Sequence, residues 1–342
     1  MRIPTVSVLL ALLLVSCTPD ATPTVRPPGP SSAGPGPGSR ATFVLANSAG
    51  LLALDESCRP IGRVVEIPDQ SAAATITLSG DRKRLAFALT QQPSKTTGFG
   101  SDIFEVNLDG SGYRAILEHE AENVFYASPR YDPTGNVVYV HRRAAVVKNN
   151  QYIGNTDEIQ RVDLTTKERK TIITDGADPT VSPKGDRIVY VHLKDALPDG
   201  LWIANLPDGG DAHPLLKGKD TFFYMQTPRF SPSGDQIVFS AAGRQQSRAA
   251  PGPVPVTVVA GTGRKAAHLG IPSELFLSPV DGSKLTSLGP TGDDVVPAWS
   301  PDGSKLAYVG IGQFVVMTVA DQSTRVCAQG EQFFFGDPIW VK

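Results

Sequence analysis

Two histidines in matching strand-like runs are the first residues that could do chemistry. His141 and His192 each follow an apolar, β-branched run, so each would end a strand. Imidazole is a common metal ligand, but a metal site also needs further ligands and an ordering shell of carboxylates. The same position in other copies of the pattern holds Leu89, Ala241 and Gly310. The two interpretations are metal binding and a hydrogen-bonded histidine at a strand end, and the pattern favours the second.

Two aspartates form the second candidate. Asp178 and Asp337 each stand directly before a proline inside a strand-like run. If these strands surround a channel, the two carboxylates could hold a cation there, because oxygen ligands suit hard metal ions. They could equally cap turns or bind water. Both are weak metal candidates, and the sequence predicts no cofactor.

No catalytic set is recognisable in the sequence. It has no Gly-x-Ser-x-Gly elbow, no His-Glu-x-x-His pair and no phosphate-binding P-loop. With 32 basic and 34 acidic residues its formal net charge is -2. Nothing in this charge balance indicates a nucleic-acid partner.

The candidates lie in a repeated strand-turn-strand pattern, seen most clearly at 299–309. Proline fixes one turn dihedral, a Ser or Asp side chain can bond the turn's own backbone, and glycine accepts the positive φ that closes the turn. The flanking aromatic and β-branched runs predict the two strands of a hairpin. The first turn residues of the five copies are Ser79, Asp132, Ser182, Ser231 and Ser300.

The copies recur about every fifty residues, with spacings of 53, 50, 49 and 69. Each continues with two further strand-like runs, and a repeat of four strands is typical of a propeller blade. One strand at the C-terminus and three at 41–67 would supply a further blade and remove open sheet edges. The sequence therefore predicts an all-β fold, a six-bladed β-propeller over 41–342 closed by one C-terminal and three N-terminal strands.

The repeat resembles that of the TolB-type β-propellers. The resemblance rests on the Ser-Pro-Asp-Gly hairpin and on runs such as 103–111, and it covers 41–342. It implies the fold more than a function, because propellers host many activities. TolB also carries an N-terminal α/β domain through which it works in the Tol-Pal envelope system. Here a proline-rich segment stands in its place, which speaks against a direct TolB role.

The N-terminus predicts export and a lipid anchor. A short basic start and an apolar run too short to span a bilayer precede Cys17, as in a signal peptide. Residues 14–17, Leu-Val-Ser-Cys, resemble the bacterial lipobox, in which the cysteine is lipidated and becomes the first mature residue. The alternative is an ordinary signal peptide with a chance cysteine. We expect a lipoprotein signal peptide at 1–16 and a lipidated Cys17 with a proline-rich tether at 17–40. This arrangement places the propeller in the cell envelope, on the extracytoplasmic side of a bacterial membrane.

Cys58 and Cys327 are the remaining cysteines. Once Cys17 carries a lipid they are an even pair in an oxidising compartment, which favours a disulfide between neighbouring blades. However, the connections that hold them are expected to emerge on opposite faces of the ring, and a disulfide needs Cα atoms within about 7 Å. The sequence leaves both a bond and two free thiols open.

A propeller without a recognised catalytic set can serve as a binding module. Alternating strands put the tight turns on one side, the turn face, and the other connections on the opposite side, the loop face. Long loops predicted at 91–101, 142–156 and 241–273 lie on the loop face, where binding surfaces concentrate. Aromatic and arginine side chains are the usual anchors. Those assigned to partner binding are Arg244, Arg248, Arg264, Phe222, Phe223, Phe333 and Phe334.

We therefore predict a noncatalytic module that binds another envelope protein or a peptide on its loop face. The aromatic residues have an alternative role, packing between neighbouring blades. The alternative function is an enzyme of the lactonase or lyase type with its site at the channel mouth. Such enzymes bring several His, Asp, Glu or Asn side chains to the axis, whereas the inner strands here offer mainly Asp178 and Asp337.

Overall fold

The computed structural model describes residues 36–217, 222–244 and 272–342, and these are nearly all β. The helices of these ranges are α1 (Pro37–Arg40) and one 3-10 helix, Glu331–Phe333. No helix in the described ranges has the length and apolar character needed to cross a membrane. Cys17, most of the tether, Arg248 and Arg264 lie outside the described residues.

After three N-terminal strands the chain forms five successive four-stranded antiparallel meanders, which we call units one to five. The N-terminal strands are β1 (Phe43–Asn47), β2 (Gly50–Leu54) and β3 (Pro60–Val65). Unit one contains β4 (Ala72–Leu78), β5 (Arg84–Thr90), β6 (Gly100–Asn107) and β7 (Arg114–Leu117). Unit two contains β8 (Val124–Tyr131), β9 (Val137–Lys148), β10 (Gln151–Asp163) and β11 (Arg169–Thr174).

The later units repeat this order, and the first strand of each is its inner strand. Unit three contains β12 (Gly176–Val181), β13 (Arg187–Lys194), β14 (Leu197–Asn205) and β15 (His213–Pro214). Unit four contains β16 (Tyr224–Phe230), β17 (Gln236–Ala242), β18 (Glu274–Pro279) and β19 (Thr286–Pro290). Unit five contains β20 (Ala298–Trp299), β21 (Lys305–Gly310), β22 (Gln313–Thr318) and β23 (Thr324–Gln329). The last strand is β24 (Asp337–Trp340).

The units are arranged as propeller-like sheets. Units three, four and five are separate four-stranded sheets, while units one and two share one eight-stranded sheet. The parallel pairing of β6 with β8 that joins them involves only Gly100 with Val124 and Ser101 with Phe125. β24 pairs with β1, so the last strand and the first three form one closing sheet in the order β24-β1-β2-β3. The predicted union of one C-terminal strand with three N-terminal strands is therefore present.

One hydrogen-bond pattern closes the tight turn of all five units. In unit five the carbonyl of Ser300 accepts the backbone N–H of Gly303 at 2.9 Å. The Ser300 hydroxyl oxygen accepts the backbone N–H of Lys305, also at 2.9 Å. The side-chain oxygens of the first turn residues in the other four units accept the corresponding N–H at 3.0–3.1 Å. The Ser or Asp of the repeat thus supplies the acceptor that the sequence predicts.

Apolar side chains fill the space between neighbouring sheets. In β5, Leu85, Phe87 and Leu89 pack toward the closing sheet, whereas Ala86 and Ala88 pack toward unit two, because successive side chains point to opposite sides. Among the described residues, one buried cluster joins the closing sheet to unit one. Others join each unit to the next, and a last one joins unit five back to the closing sheet. The core therefore follows a closed ring.

The end of the chain is bound to unit one by Arg82. Its Nη2 donates to the carbonyl oxygen of Val341 at 2.6 Å and to that of Trp340 at 3.2 Å. The backbone N–H of Val341 in turn donates to the carbonyl of Thr42 at 2.8 Å. These bonds hold the two chain ends in one sheet, beside the turn of unit one.

Cys58 and Cys327 are joined by a disulfide in the structure, with Cα atoms 5.7 Å apart. Cys58 lies in the turn between β2 and β3, and Cys327 lies within β23. Phe314 pairs with Ala328 and the next residue pairs with Val326, so Cys327 is the extra residue of a β-bulge. A bulge redirects a side chain, and both cysteines belong to the cluster between unit five and the closing sheet. The predicted separation of the two connections therefore does not keep the cysteines apart, because Cys327 lies within its strand and not in the connection that follows it.

Candidate functional site

The inner strands of units one to four share a bulge that shapes the channel. At this point two inner-strand residues face a single residue of the second strand. The first of the two has a positive φ in every case, which is uncommon for residues other than glycine. These residues and their φ angles are Thr75 (53°), Ser128 (49°), Asp178 (45°) and Thr227 (52°). Bulges of this kind redirect side chains and are frequent beside functional sites.

The bulged residues join the inner strands to one another around the channel. The backbone N–H of Thr75 donates to the Asp337 carboxylate, and that of Ser128 donates to Thr75 Oγ1 at 2.9 Å. The Ser128 hydroxyl donates to Asp178 Oδ1 at 2.6 Å, and the Thr227 N–H donates to Asp178 Oδ2 at 3.4 Å. The Thr227 hydroxyl continues this chain into unit five. We call this set of bonds the inner-strand network.

Asp178 and Asp337 are therefore occupied with backbone and hydroxyl donors of neighbouring units. Burial opposes the ionisation of Asp178, but His141, the Ser128 hydroxyl and two arginines outweigh it, so its pKa lies below the ordinary value. Within the described part of the chain no group of three or more His, Cys, Asp or Glu has an arrangement that could hold a metal ion. Of the two interpretations of these aspartates, the geometry favours the second, in which the carboxylates accept hydrogen bonds from turn or bulge residues and do not hold a cation.

Two arginines at the channel were missed by the sequence reasoning. Arg130 and Arg229 directly follow the inner-strand prolines of units two and four. Arg130 is only 6% exposed, and burial together with the positive charge of Arg229 lowers its pKa. Both arginines interact electrostatically with Asp178 and Asp337, which belong to unit three and the closing sheet. Side chains can meet partners on such different sheets only near the axis. The recurrence of arginine after this proline is the sequence signal that could have identified them.

Three histidines are paired with aspartates at the loop-face ends of their units. The distances between imidazole nitrogen and carboxylate oxygen are 2.6 Å for His119–Asp102, 2.7 Å for His141–Asp157 and 2.6 Å for His192–Asp199. His192 also stacks on Trp202, with ring centroids 4.1 Å apart. For His141 and His192 these contacts fit the hydrogen-bonded alternative. A carboxylate can orient a catalytic imidazole in the same way, but each pair here lies on a different unit.

The segment 142–156 is not the loop that the sequence predicted. β9 and β10 continue to pair as far as Lys148 and Gln151, so the segment is a projecting hairpin. Its turn residues Asn149 and Asn150 have φ angles of 50° and 59°. Asparagine accepts positive φ more readily than most residues, and two such positions form a tight hairpin turn. The Asn-Asn pair between β-branched and aromatic residues is the signal that was overlooked.

Exposed apolar side chains are concentrated on the loop face. Among the described residues, nine large apolar side chains are exposed, with exposed fractions from 40% to 68%. Val326 lies on the outer strand β23. The other eight lie at hairpin tips or unit links of the loop face: Val147, Tyr152, Ile153, Leu197, Phe223, Ile311, Phe334 and Phe335.

The residues assigned to partner binding divide into two groups. Phe223 and Phe334 are exposed, whereas Phe222 and Phe333 are buried, so their assignment as surface anchors is wrong. Phe222 packs edge-on against a core phenylalanine at 5.1 Å, and Phe333 packs against another at 5.9 Å. Each is the first aromatic residue of its run and fills the inter-sheet core. The described Arg244 is exposed, with its guanidinium 5.7 Å from the centre of the Phe276 ring.

Sheets of four strands joined by a ring of cores define the class of β-propellers. The fold is that of the TolB-type propellers, as the repeat predicted. TolB from Acinetobacter baumannii aligns with a TM-score of 0.62 and 15% identity, over 88% of this chain and 66% of that chain, slightly under two thirds of its length. A chain from a nidogen/laminin complex aligns with a TM-score of 0.60 and 10% identity, over 87% of this chain and 97% of that chain. An oligogalacturonate lyase in complex with manganese aligns with a TM-score of 0.51 and 12% identity, over 85% of this chain and 74% of that chain. Such identities establish the fold alone. The sequence matches no family model and no curated protein.

Proposed function

We propose that this chain is an envelope lipoprotein whose six-bladed propeller is a noncatalytic module that binds a protein or peptide on its loop face. The count of six treats each unit and the closing sheet as one blade. Units one and two share a sheet only through a two-residue parallel pairing. A separate buried cluster lies between them, as between every other neighbouring pair. Both features support two blades in that eight-stranded sheet.

The observation that carries the binding proposal is the apolar loop face. Exposed apolar area costs about 25 cal/mol per Å² relative to its burial, so the concentration of exposed apolar side chains on one face favours an interaction site there. Exposed aromatic side chains are typical binding anchors. On the turn face, no large apolar side chain among the described residues is exposed.

The apolar tips form local groups on rigid supports. Tyr152 pairs with Val147 across the β9–β10 hairpin, next to Ile153. The ring of Phe334 lies 3.2 Å from where a Cβ on Gly312 would stand, and Gly312 directly follows the exposed Ile311. Side chains held by paired strands lose little conformational freedom on binding, which favours affinity.

The start of the described chain lies on the side away from this surface. An added Cβ on Gly36 would contact the backbone of Asp109, and one on Gly38 would contact that of Leu108. Leu108 and Asp109 belong to the β6–β7 turn on the turn face. Residues 36–40 are thus packed against the propeller, and a tether of residues 17–35, with a reach of roughly 60 Å if extended, would enter at the turn face. Anchoring through Cys17 then leaves the loop face accessible.

The solved relatives are compatible with binding and with catalysis, since one chain comes from a nidogen/laminin complex and another is a lyase. The apolar loop face favours binding for this chain. An enzyme of the lactonase or lyase type would instead need reactive side chains directed at a ligand in the channel. The channel aspartates accept hydrogen bonds within the inner-strand network.

Site-specific photocrosslinking in native membranes tests the proposal. A photoreactive residue would replace Tyr152, Leu197 or Phe334 on the loop face, and Thr134 or Lys184 in the turns as matched controls. We expect the loop-face positions to crosslink one discrete protein or peptide and the turn-face positions not to do so. Crosslinking of that partner from the turn face alone would contradict the proposal.

A further inference from the structure

Arg130 and Arg229 occupy equivalent places in units two and four. Each guanidinium donates through Nη1 to the carbonyl of its preceding proline, at 2.6 Å for Pro129 and 2.8 Å for Pro228. Arg130 Nη1 also lies 3.4 Å from the carbonyl oxygen of Ile76 in unit one. These bonds turn the arginine side chains toward the inner strands and fix one corner of each guanidinium.

The other edge of Arg130 has no protein partner. Its Nε and Nη2 are buried and lack any hydrogen-bond acceptor. These two nitrogens form one edge of the planar guanidinium, with parallel N–H groups that match the two oxygens of a carboxylate or phosphate. Buried N–H donors are nearly always satisfied in folded proteins. A carboxylate or phosphate at this edge would accept the two hydrogen bonds that Arg130 otherwise lacks.

Asp178 and Asp337 interact electrostatically with Arg130 but form no hydrogen bond with this edge. Asp178 accepts hydrogen bonds from Ser128 and Thr227, and Asp337 accepts one from Thr75. No described carboxylate forms a salt bridge with Arg130, whereas Arg84 and Arg114 both pair with a glutamate. Burial, and after it the positive charge of Arg229, lowers the pKa of Arg130, while Asp178 and Asp337 act in the opposite direction. A bound anion would supply the missing hydrogen-bond acceptors at the free edge of Arg130.

We propose that Arg130 and Arg229 bind a small oxyanion in the channel, with the free edge of Arg130 holding two of its oxygens and Arg229 adding a second positive charge. The ligand class is a small anion that carries a carboxylate or phosphate group. Arg130 is the last residue but one of β8, next to the turn. The site therefore lies toward the turn-face end of the channel, distant from the loop-face anchors, and does not depend on a partner there.

Thermal unfolding and isothermal titration with two probes test this site. Sodium phosphate represents free phosphate and sodium succinate represents dicarboxylates, each compared with sodium chloride at equal ionic strength. We expect at least one probe to raise the Tm of the wild-type protein saturably and to show one binding site by titration. A preference for phosphate or for succinate then identifies the oxyanion. If neither probe raises the Tm above the chloride value, the proposal is overturned.

Three variants separate this site from general ion effects. Arg130→Lys keeps the charge but loses the two-pronged edge, so it should bind the active probe about tenfold more weakly or worse, since charge-assisted hydrogen bonds contribute about 1.5–3 kcal/mol. Arg229→Met should weaken binding by a similar factor. Arg325→Met, at an exposed position of the outer strand β23, should bind as the wild type does. Unchanged probe affinity in Arg130→Lys would show that Arg130 merely supports the carbonyls of Pro129 and Ile76.

Discussion

Replacement of Asp178 by Asn should destabilise the propeller by about 2–3 kcal/mol near neutral pH. Hydrogen bonds to charged groups contribute about 1.5–3 kcal/mol and those between neutral groups about 1 kcal/mol. The Asn amide can still accept from the Ser128 hydroxyl, but its NH₂ group would face the N–H of Thr227, so one bond weakens and the other is lost. Asparagine tolerates the φ of 45° at this position, so no backbone strain is added.

The loss should depend on pH in a defined direction. Burial raises the pKa of Asp178, but His141, the Ser128 hydroxyl and the two channel arginines together bring it below the ordinary value of 3.8. A carboxylate with a lower pKa in the folded than in the unfolded state stabilises the fold above the unfolded pKa. That contribution is lost as the pH falls through the folded pKa. The difference between wild type and Asp178→Asn should therefore be largest near neutral pH and shrink below pH 3.8.

Urea unfolding followed by tryptophan fluorescence, at about pH 7 and about pH 3, measures both effects. Asp211→Asn is the matched control, because Asp211 has a similar φ of 54° and a side chain that is 77% exposed. It should change the free energy of unfolding by no more than about 0.5 kcal/mol. An equally small change in Asp178→Asn near neutral pH would refute the structural role assigned to the inner-strand network.

Four further predictions concern the anchor and the closure of the ring. Cys17→Ala should release the protein from membranes, as followed by fractionation; membrane association that persists in this variant would contradict the lipid anchor. The mature protein, unfolded without reductant, should show no free thiol from Cys58 or Cys327. The Cys58→Ser/Cys327→Ser variant should lose up to about 5 kcal/mol of unfolding free energy, because the bond closes a loop with a sequence separation of 269. Arg82→Met should cost about 1 kcal/mol, since Arg82 is exposed but donates to two carbonyls of the C-terminal segment. Unchanged urea unfolding of Arg82→Met would show that these bonds do not support closure.

The parts of the fold that the sequence predicts depend on local chemistry. Each turn uses its own Ser or Asp to accept a backbone N–H five residues later, as Ser300 does for Lys305. Such contacts lie within a few residues of each other and so leave a readable pattern. Closure by β24 and β1 was predictable for a different reason, because an incomplete unit at each chain end leaves strands that need partners.

The predictions fail where long-range packing determines which side chain is buried and which residues meet. An aromatic run does not state which ring enters the core, and Phe222 and Phe333 do so while Phe223 and Phe334 remain exposed. The bulge that directs Cys327 toward Cys58 depends on the pairing of β22 with β23, which the cysteine positions do not reveal.

The partners of the channel residues were likewise not visible in the sequence. Asp157 lies beside His141 because the register of β9 and β10 sets Ile159 opposite His141, and Asp157, two residues earlier, points to the same side of the sheet. Arg130 and Arg229 are 99 positions apart in the sequence and approach each other only in the closed ring. The assignment of Arg248 and Arg264 to partner binding stays a prediction.

The claim that the loop face binds the partner is tested most directly by the affinity of loop-face variants for the crosslinked partner. Tyr152→Ser/Ile153→Ser removes two exposed tip residues of the β9–β10 hairpin, while Val326→Ser removes an exposed apolar side chain from an outer strand. We expect the double variant to bind at least about tenfold more weakly, since anchor side chains contribute about 1–2 kcal/mol or more each. Val326→Ser should bind as the wild type does, and both variants should keep the wild-type Tm. Wild-type affinity in the double variant, together with loss of binding in a Lys184→Glu turn-face variant, would contradict the assignment of the loop face.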